Sequence, residues 1–275
     1  MKTTQTKGLK RNIIDKYYTK PDVVDTCINF VKQYIKIDKN DLIIEPSAGN
    51  GSFILGIKEL SSNFKFYDLE PENQEICKQD YLLCNYSDFK SSYDNIHIIG
   101  NPPFGRQSSL AIKFIKKSCE FCNSISFILP KSFKKDSLKK TFPLNFHLIF
   151  EIDLSNNSFL VDGVEYNVPC IFQIWEKRLF NRLTIEKLHP INFKFVNKSE
   201  LHDISFRRVG VYAGKIDTNT HDKSIQSHYF IKLVNNNEDI LNELKKIVFE
   251  TDNTVGPKSI SKQELILKYN QILQN

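Results

Sequence analysis

Apolar residues recur along the chain in two rhythms. Short runs at Leu42-Ile-Ile44 and Ile96-His-Ile-Ile99 predict buried strands, Phe64-Lys-Phe-Tyr67, Ser126-Phe-Ile-Leu129 and Leu148-Ile-Phe-Glu-Ile152 predict further strands, and Val168 to Trp175 predicts the last strand of the same sheet. Between them, Val23, Val24, Cys27, Ile28, Val31, Tyr34 and Ile35 fall at helical spacing, as do Leu110, Ile112, Phe114, Ile115 and Cys119. Thr19 to Asp22 has capping-box spacing, and Pro21 suits the first turn of a helix. Strands alternating with helices predict an α/β fold, a doubly wound sheet with helices on both faces. From about residue 178 the pattern changes. Short strands at Ile191 to Phe195 and Arg207 to Tyr212 precede an amphipathic helix through Ile240, Leu241, Leu244, Ile247 and Val248. A final helix opens on the capping box Ser261-x-x-Glu264. The expected plan is a basic arm over 1–15, a core domain over 16–177 and a small α+β appendage over 178–275.

The strand ending at Ile99 runs into Gly100-Asn101-Pro102-Pro103-Phe104. Two prolines fix their own φ angles and each keeps the residue before it out of the helical region. Asn101 is therefore expected at a rigid corner at the carboxyl end of a strand, where open α/β sheets bind ligands. Such a corner suits a flat exocyclic amine, whose lone pair is delocalised into its ring. Two acceptors facing its N–H bonds, the Asn101 side-chain oxygen and the Pro102 carbonyl, favour a more tetrahedral nitrogen, and Phe104 offers a ring for stacking. On the tetrapeptide alone, a plain Asn-Pro turn is equally open.

The first strand runs into Glu45-Pro46-Ser-Ala48-Gly49-Asn-Gly51-Ser-Phe53, and a helix follows. Strand, glycine loop and helix bring a ligand against backbone N–H groups. The loop lacks the Lys-Ser/Thr pair of a phosphate cradle and carries an acid, Glu45, at the strand end, so it suits a cofactor with a cationic amino-acid end. The second strand ends in Asp68-Leu-Glu70, where ribose hydroxyls are held in doubly wound folds, with Asp68 the first choice and Glu70 the second. Asp80-Tyr81 offers an acceptor and a ring face for a purine. Asn157-Ser-Phe159 reads as a loop beside a Gly163 turn, its Phe either exposed for stacking or tucked into the core.

Composition narrows the class. Net charge is +6, which suits an anionic partner such as nucleic acid. The Lys-rich segment 131–140 offers either phosphate contacts or a solvated face. The six cysteines form no disulfide framework, and the one C-x-x-C, Cys119 to Cys122, has no second ligand pair for zinc, so reduced thiols and no metal are expected. There is no apolar signal core and no run of membrane-spanning length, so a soluble intracellular protein is expected.

Together these residues resemble a known family. Glu45 to Phe53 is similar to the first motif of class I S-adenosylmethionine-dependent methyltransferases. Asn101-Pro-Pro-Phe104 resembles the catalytic motif of those that methylate an exocyclic amine, above all N6 of adenine in DNA. The resemblance implies S-adenosylmethionine as cofactor. It implies that Tyr18 and Thr19 close over its methionine end, that Glu45, Pro46, Ala48, Gly49 and Gly51 form its loop, and that Asp68, then Asp80 and Tyr81, hold its ribose and adenine beside Asn101. It also implies Asn101, Pro102, Pro103 and Phe104 at a flipped base, with Phe159 as a second stacking ring, and double-stranded DNA as partner. The motif order resembles the gamma class, which carries a recognition domain at the C-terminus, although this chain's C-terminal stretch is shorter than many of those. RNA adenine or guanine, a protein glutamine, or a non-catalytic role as the cofactor-binding subunit of a methylase complex are the competing readings. A partner protein or a homodimer is left open.

Overall fold

The computed structural model describes residues 17–87, 89–183, 186–249 and 258–274. The expected basic arm over 1–15 lies outside them. Two compact units are present, the described residues up to 183 and those from 186 onward.

The first unit begins with a two-residue strand β1 (Tyr18–Thr19) and helix α1 (Pro21–Tyr34), followed by β2 (Leu42–Glu45), α2 (Ile54–Leu60), β3 (Asn63–Asp68), β4 (Cys77–Lys78) and the short α3 (Phe89–Ser92). Then come β5 (Ile96–Gly100), α4 (Ser109–Cys119), β6 (Ser124–Pro130), the short α5 (Asp136–Lys139), β7 (Phe146–Asp153), the hairpin strands β8 (Phe159–Val161) and β9 (Val164–Tyr166), and β10 (Cys170–Lys177). Seven strands form one sheet in the order β4-β3-β2-β5-β6-β10-β7. The run from β4 to β6 is parallel, and β10 slots antiparallel between β6 and β7.

The apolar runs of β2, β5 and β6 are continuous because these strands are covered on both faces. Every residue of β2, β5 and β6 is buried. Leu42, Ile44, Ile96, Ile98, Ile125 and Phe127 share a core with Ala111, Phe114 and Ile115 of α4. At the amino end of these strands Asp41 is fully buried. It accepts from Asp38 N–H (2.8 Å), from Asn95 N–H and Nδ2 (3.1 and 3.0 Å), and meets His97 Nε2 at 3.2 Å.

Two expectations are corrected here. Thr19 does not cap α1. The cap position is Lys20, without a side-chain bond, and Thr19 sits in β1 paired with Phe159. Phe159 is no exposed loop aromatic: it lies in β8 and is fully buried. The turn behind it, Asp162-Gly163, has both residues at positive φ (52° and 76°), the geometry of a tight hairpin of twisted strands. In the Lys-rich segment, Lys131 and Lys134 pair with Asp153, and Lys139 with Glu151, so β7 neutralises much of that charge. All six cysteines are free.

The second unit has an antiparallel sheet in the order β11-β14-β12-β13, made of β11 (Phe193–Val196), β12 (Ile204–Arg207), β13 (Ile216–Asp217) and β14 (His228–Leu233). Helices α6 (Glu238–Lys246) and α7 (Lys262–Leu273) follow, and Leu244, Leu265, Ile266 and Tyr269 share a core with Phe193, Ile204, Phe206 and Ile231. The expected capping box is present, with both Ser261 and Glu264 bonding back to the helix end. Beyond Arg207 the expected strand gives way to a turn at Gly210, whose φ is +98°. Val248 lies past the end of α6 and is exposed. Among the described residues no helix is long and apolar enough to cross a membrane.

Candidate active site

The chain leaves β2 for β3 on one side of the sheet and enters β5 on the other. The crevice between the carboxyl ends of β2 and β5 is thus a topological switch point, the place where such sheets bind ligands. A cavity of about 670 Å³ opens there, within the range of small-molecule sites. Glu45, the last residue of β2, and Asn101, the first after β5, both line it.

Glu45 is 2% exposed and its Oε2 accepts no hydrogen bond. Burial, reinforced by the charge of Asp68, pushes its carboxyl up to about 8. Gly100 makes room for it. A Cβ at Gly100 would sit 3.1 Å from Glu45 Cγ, and φ there is +149°, a conformation only glycine adopts readily.

The loop after Glu45 is stapled to the end of β3. Ala48 N–H donates to the Tyr67 carbonyl (2.8 Å), Gly49 N–H to Asp68 Oδ2 (2.8 Å) and Glu72 N–H to the Gly49 carbonyl (3.0 Å). Gly49 itself has φ +55°, and the Tyr18 ring lies over it, 3.4 Å from where a Cβ would be. The Tyr18 hydroxyl donates to Glu72 Oε1 at 2.5 Å, so the β1 segment is tied across the loop.

On the β5 side, Asn101 Nδ2 donates to the Tyr17 carbonyl (3.1 Å) and to Thr19 Oγ1 (3.3 Å). Its own carbonyl accepts from Ser47 Oγ (3.2 Å), which joins the corner to the glycine loop. Asn101 Oδ1 is buried and has no donor. Leaving a buried acceptor unsatisfied costs about 1–3 kcal/mol, so two such atoms in one cavity wall, Glu45 Oε2 and Asn101 Oδ1, mark places where a ligand's donors fit.

Of the residues singled out from the sequence, Tyr18, Thr19, Glu45, Pro46, Ala48, Gly49, Asp68, Glu70, Asp80, Tyr81, Asn101 and Pro103 line the cavity. Gly51, Pro102, Phe104 and Phe159 do not. Both Asp68 oxygens accept backbone N–H groups, from Gly49 and Glu70, so this acid shapes the loop as well as facing the cavity. Tyr81 is core rather than an open ring face: it is 1% exposed, stacks on Phe114 at 5.4 Å and bonds Ser118 Oγ at 2.8 Å. Phe104 is 7% exposed and stacks on Tyr17. Sequence reading missed Tyr17, Ser47 and Arg106. Arg106 stands two residues past the tip and is the one cation among the described lining residues. No three His, Cys, Asp or Glu side chains gather as metal ligands among the described residues.

The family model of the EDM2 methyltransferase-like domain matches residues 36–177, just over half of the chain and the whole stretch from β2 to β10. The chain belongs to the EDM2 methyltransferase-like domain family. Protein ENHANCED DOWNY MILDEW 2 of Arabidopsis thaliana is 27% identical over 168 residues, which cover 57% of this chain and 12% of that relative. The match thus spans only a small part of the curated relative's length. Among solved structures, PH1948 from Pyrococcus horikoshii is 16% identical with a TM-score of 0.44, over 64% of this chain and 94% of that one. The 23S rRNA methyltransferase ErmE is 11% identical with a TM-score of 0.45, over 62% and 72%. The EDM2-like sheet is Rossmann-like, a mostly parallel sheet whose strand order reverses between β2 and β5. The cavity has the volume for S-adenosylmethionine, the cofactor that the resemblance of Glu45 to Phe53 implies, and the unpartnered Glu45 Oε2 suits the ammonium of that cofactor's methionine end.

Proposed function

We propose that this chain is an S-adenosylmethionine-dependent methyltransferase acting on the exocyclic amine of a nucleobase, N6 of adenine in DNA before all others. The observation that carries the reading is Asn101 Oδ1, a buried, donorless acceptor on the cavity wall, held beside a double proline and joined through Ser47 to the glycine loop. The cofactor, when bound, supplies an electrophilic methyl group on a positively charged sulfur. Glu45 holds the ammonium of its methionine end, and Asp68 and Asp80 accept from its ribose and adenine. Tyr18, tied to Glu72 over Gly49, closes the cavity against water.

The chain's work on the acceptor is positional, and positioning two reactants supplies much of the acceleration in such transfers. Asn101 Oδ1 takes an N–H bond of the amine and aims its lone pair into the cavity. The Asn101 amide plane is already fixed, because Nδ2 is held by Tyr17 and Thr19. The methylated nitrogen is acidic and releases its extra proton to water, so no side chain need act as a strong base beforehand.

A nucleic-acid acceptor draws support from the chain's net charge of +6, which suits a polyanionic partner. The test is methyl transfer from radiolabelled cofactor to duplex DNA, RNA and peptide, with the modified base mapped. Label on an adenine amine of DNA supports the proposal. Label on RNA alone moves the substrate, and label on peptide glutamine rejects the nucleobase.

A further inference from the structure

Phe159 does not face an acceptor, yet the acceptor side of Asn101 is crowded with rings. Tyr17 is the ring the others share. It stacks on Phe104 (6.4 Å between centres, 21° between planes) and on Tyr166 (5.7 Å, 27°), and meets the edge of Phe159 (6.3 Å, 64°). Its main-chain carbonyl accepts from Asn101 Nδ2. Tyr17 thus puts a flat ring against Phe104, as the proposed acceptor base must also do, while its carbonyl keeps Asn101 Nδ2 occupied and leaves Oδ1 open to an N–H.

We infer that the Tyr17 ring occupies the slot that takes the acceptor's ring, and that the acceptor enters by displacing it, with Phe104 and Tyr166 as the stacking surfaces. This rests on the amine-acceptor reading of Asn101. The segment's backbone is held by the strand pairs Tyr18 with Leu160 and Thr19 with Phe159, by the Lys20–Glu165 ion pair and the bond from Lys20 N–H to the Ser158 carbonyl, by the Tyr18 hydroxyl on Glu72 and by Asn101 Nδ2 on the Tyr17 carbonyl. Tyr17 itself stands before those pairs, so its ring can leave while β1 stays paired. Tyr166, at the end of the β9 hairpin strand, then replaces Phe159 as the second stacking ring of the site.

A structural role for Tyr17 makes its truncation weaken binding, whereas the occupant model makes it strengthen binding. A ring stack of this kind is worth roughly tenfold in affinity. Tyr17→Ala should therefore bind adenosine and a short oligodeoxyadenylate about tenfold more tightly than wild type, and Tyr17→Phe as wild type does. Because Tyr166 stacks on Tyr17 in the free chain, its part in holding the acceptor is read in the Tyr17→Ala background, where Tyr166→Ala should weaken binding about tenfold. Equilibrium binding of both probes is measured alongside cofactor titration of each variant, which reports an intact first unit. Tyr17→Ala binding no better than wild type overturns the inference, as does the double variant binding as well as Tyr17→Ala. Tighter binding by Tyr17→Ala without any methyl transfer by the wild-type chain keeps the slot and refutes the activity instead.

Discussion

Glu45 is the residue at which stability and binding pull against each other most clearly. Its carboxyl is buried without a donor and its pKa is raised from 4.5 to about 8. A raised carboxyl stabilises the fold fully below its unfolded value, and that contribution is lost as pH rises through the folded value. Between pH 4.5 and about 8 the cofactor-free chain retains a proton that the unfolded chain has released. Each unit in that window costs about 1.4 kcal/mol, so the buried carboxylate destabilises the fold by on the order of 5 kcal/mol at the top of the window. Glu45→Gln removes the titration. Its own amide adds an offset that does not vary with pH. Urea unfolding of wild type and variant at pH 5.5 and pH 8 should show the difference between them moving by about 3 kcal/mol in the variant's favour at the higher pH. The same variant should lose cofactor affinity, because the charge that costs stability is the one that pairs with the ammonium. Wild-type affinity should weaken about tenfold per unit as pH falls below about 8, and the variant's should not. A wild-type-minus-variant difference that is flat with pH means that Glu45 is ionised in the fold as it is in the unfolded chain, and a variant that binds the cofactor like wild type means that the carboxylate does not pair with the ammonium.

Other perturbations separate the site from the scaffold. Gly100→Ala meets both a positive φ and Glu45 Cγ at 3.1 Å, and should cost about 1–3 kcal/mol in urea unfolding while weakening cofactor binding in titration calorimetry. Asp41→Ala strands the N–H groups of Asp38 and Asn95 at the far end of the strands. It should cost about 3 kcal/mol of stability and leave the cofactor dissociation constant unchanged. Tyr18→Phe cuts the tie to Glu72 over the glycine loop, and should speed cofactor release several-fold in stopped-flow binding without shifting the unfolding midpoint by more than a degree or two.

The core of the first unit is legible in the sequence because strands buried on both faces write themselves as unbroken apolar runs. Leu42 to Ile44 and Ile96 to Ile99 need no partner to be recognised, and the Glu45 and Asn101 corners are found by following each run to its end. What local pattern does not carry is pairing between distant segments. Thr19 reads as a helix cap because Asp22 stands three residues on, yet its strand partner Phe159 is far along the chain and prevails. The same pairing hides Phe159 and brings Tyr17 to Asn101. One signal was present: Asp162-Gly163 between Val161 and Val164 is the sequence of a two-residue hairpin turn, and reading it so puts Phe159 in a strand. Tyr81 fails as an open purine face for another reason. Its neighbour Asp80 does line the cavity, but the Tyr81 ring is large enough to be taken into the aromatic core with Tyr86 and Phe114.

The role proposed for Asn101, holding a flat amine next to the methyl donor, is tested most sharply by the rate of methyl transfer by Asn101→Ala to adenine-containing duplex DNA, with cofactor affinity determined on the same preparation. Turnover should fall roughly a hundredfold or more with cofactor affinity nearly kept. Turnover close to wild type in a variant that still binds cofactor removes Asn101 from that role.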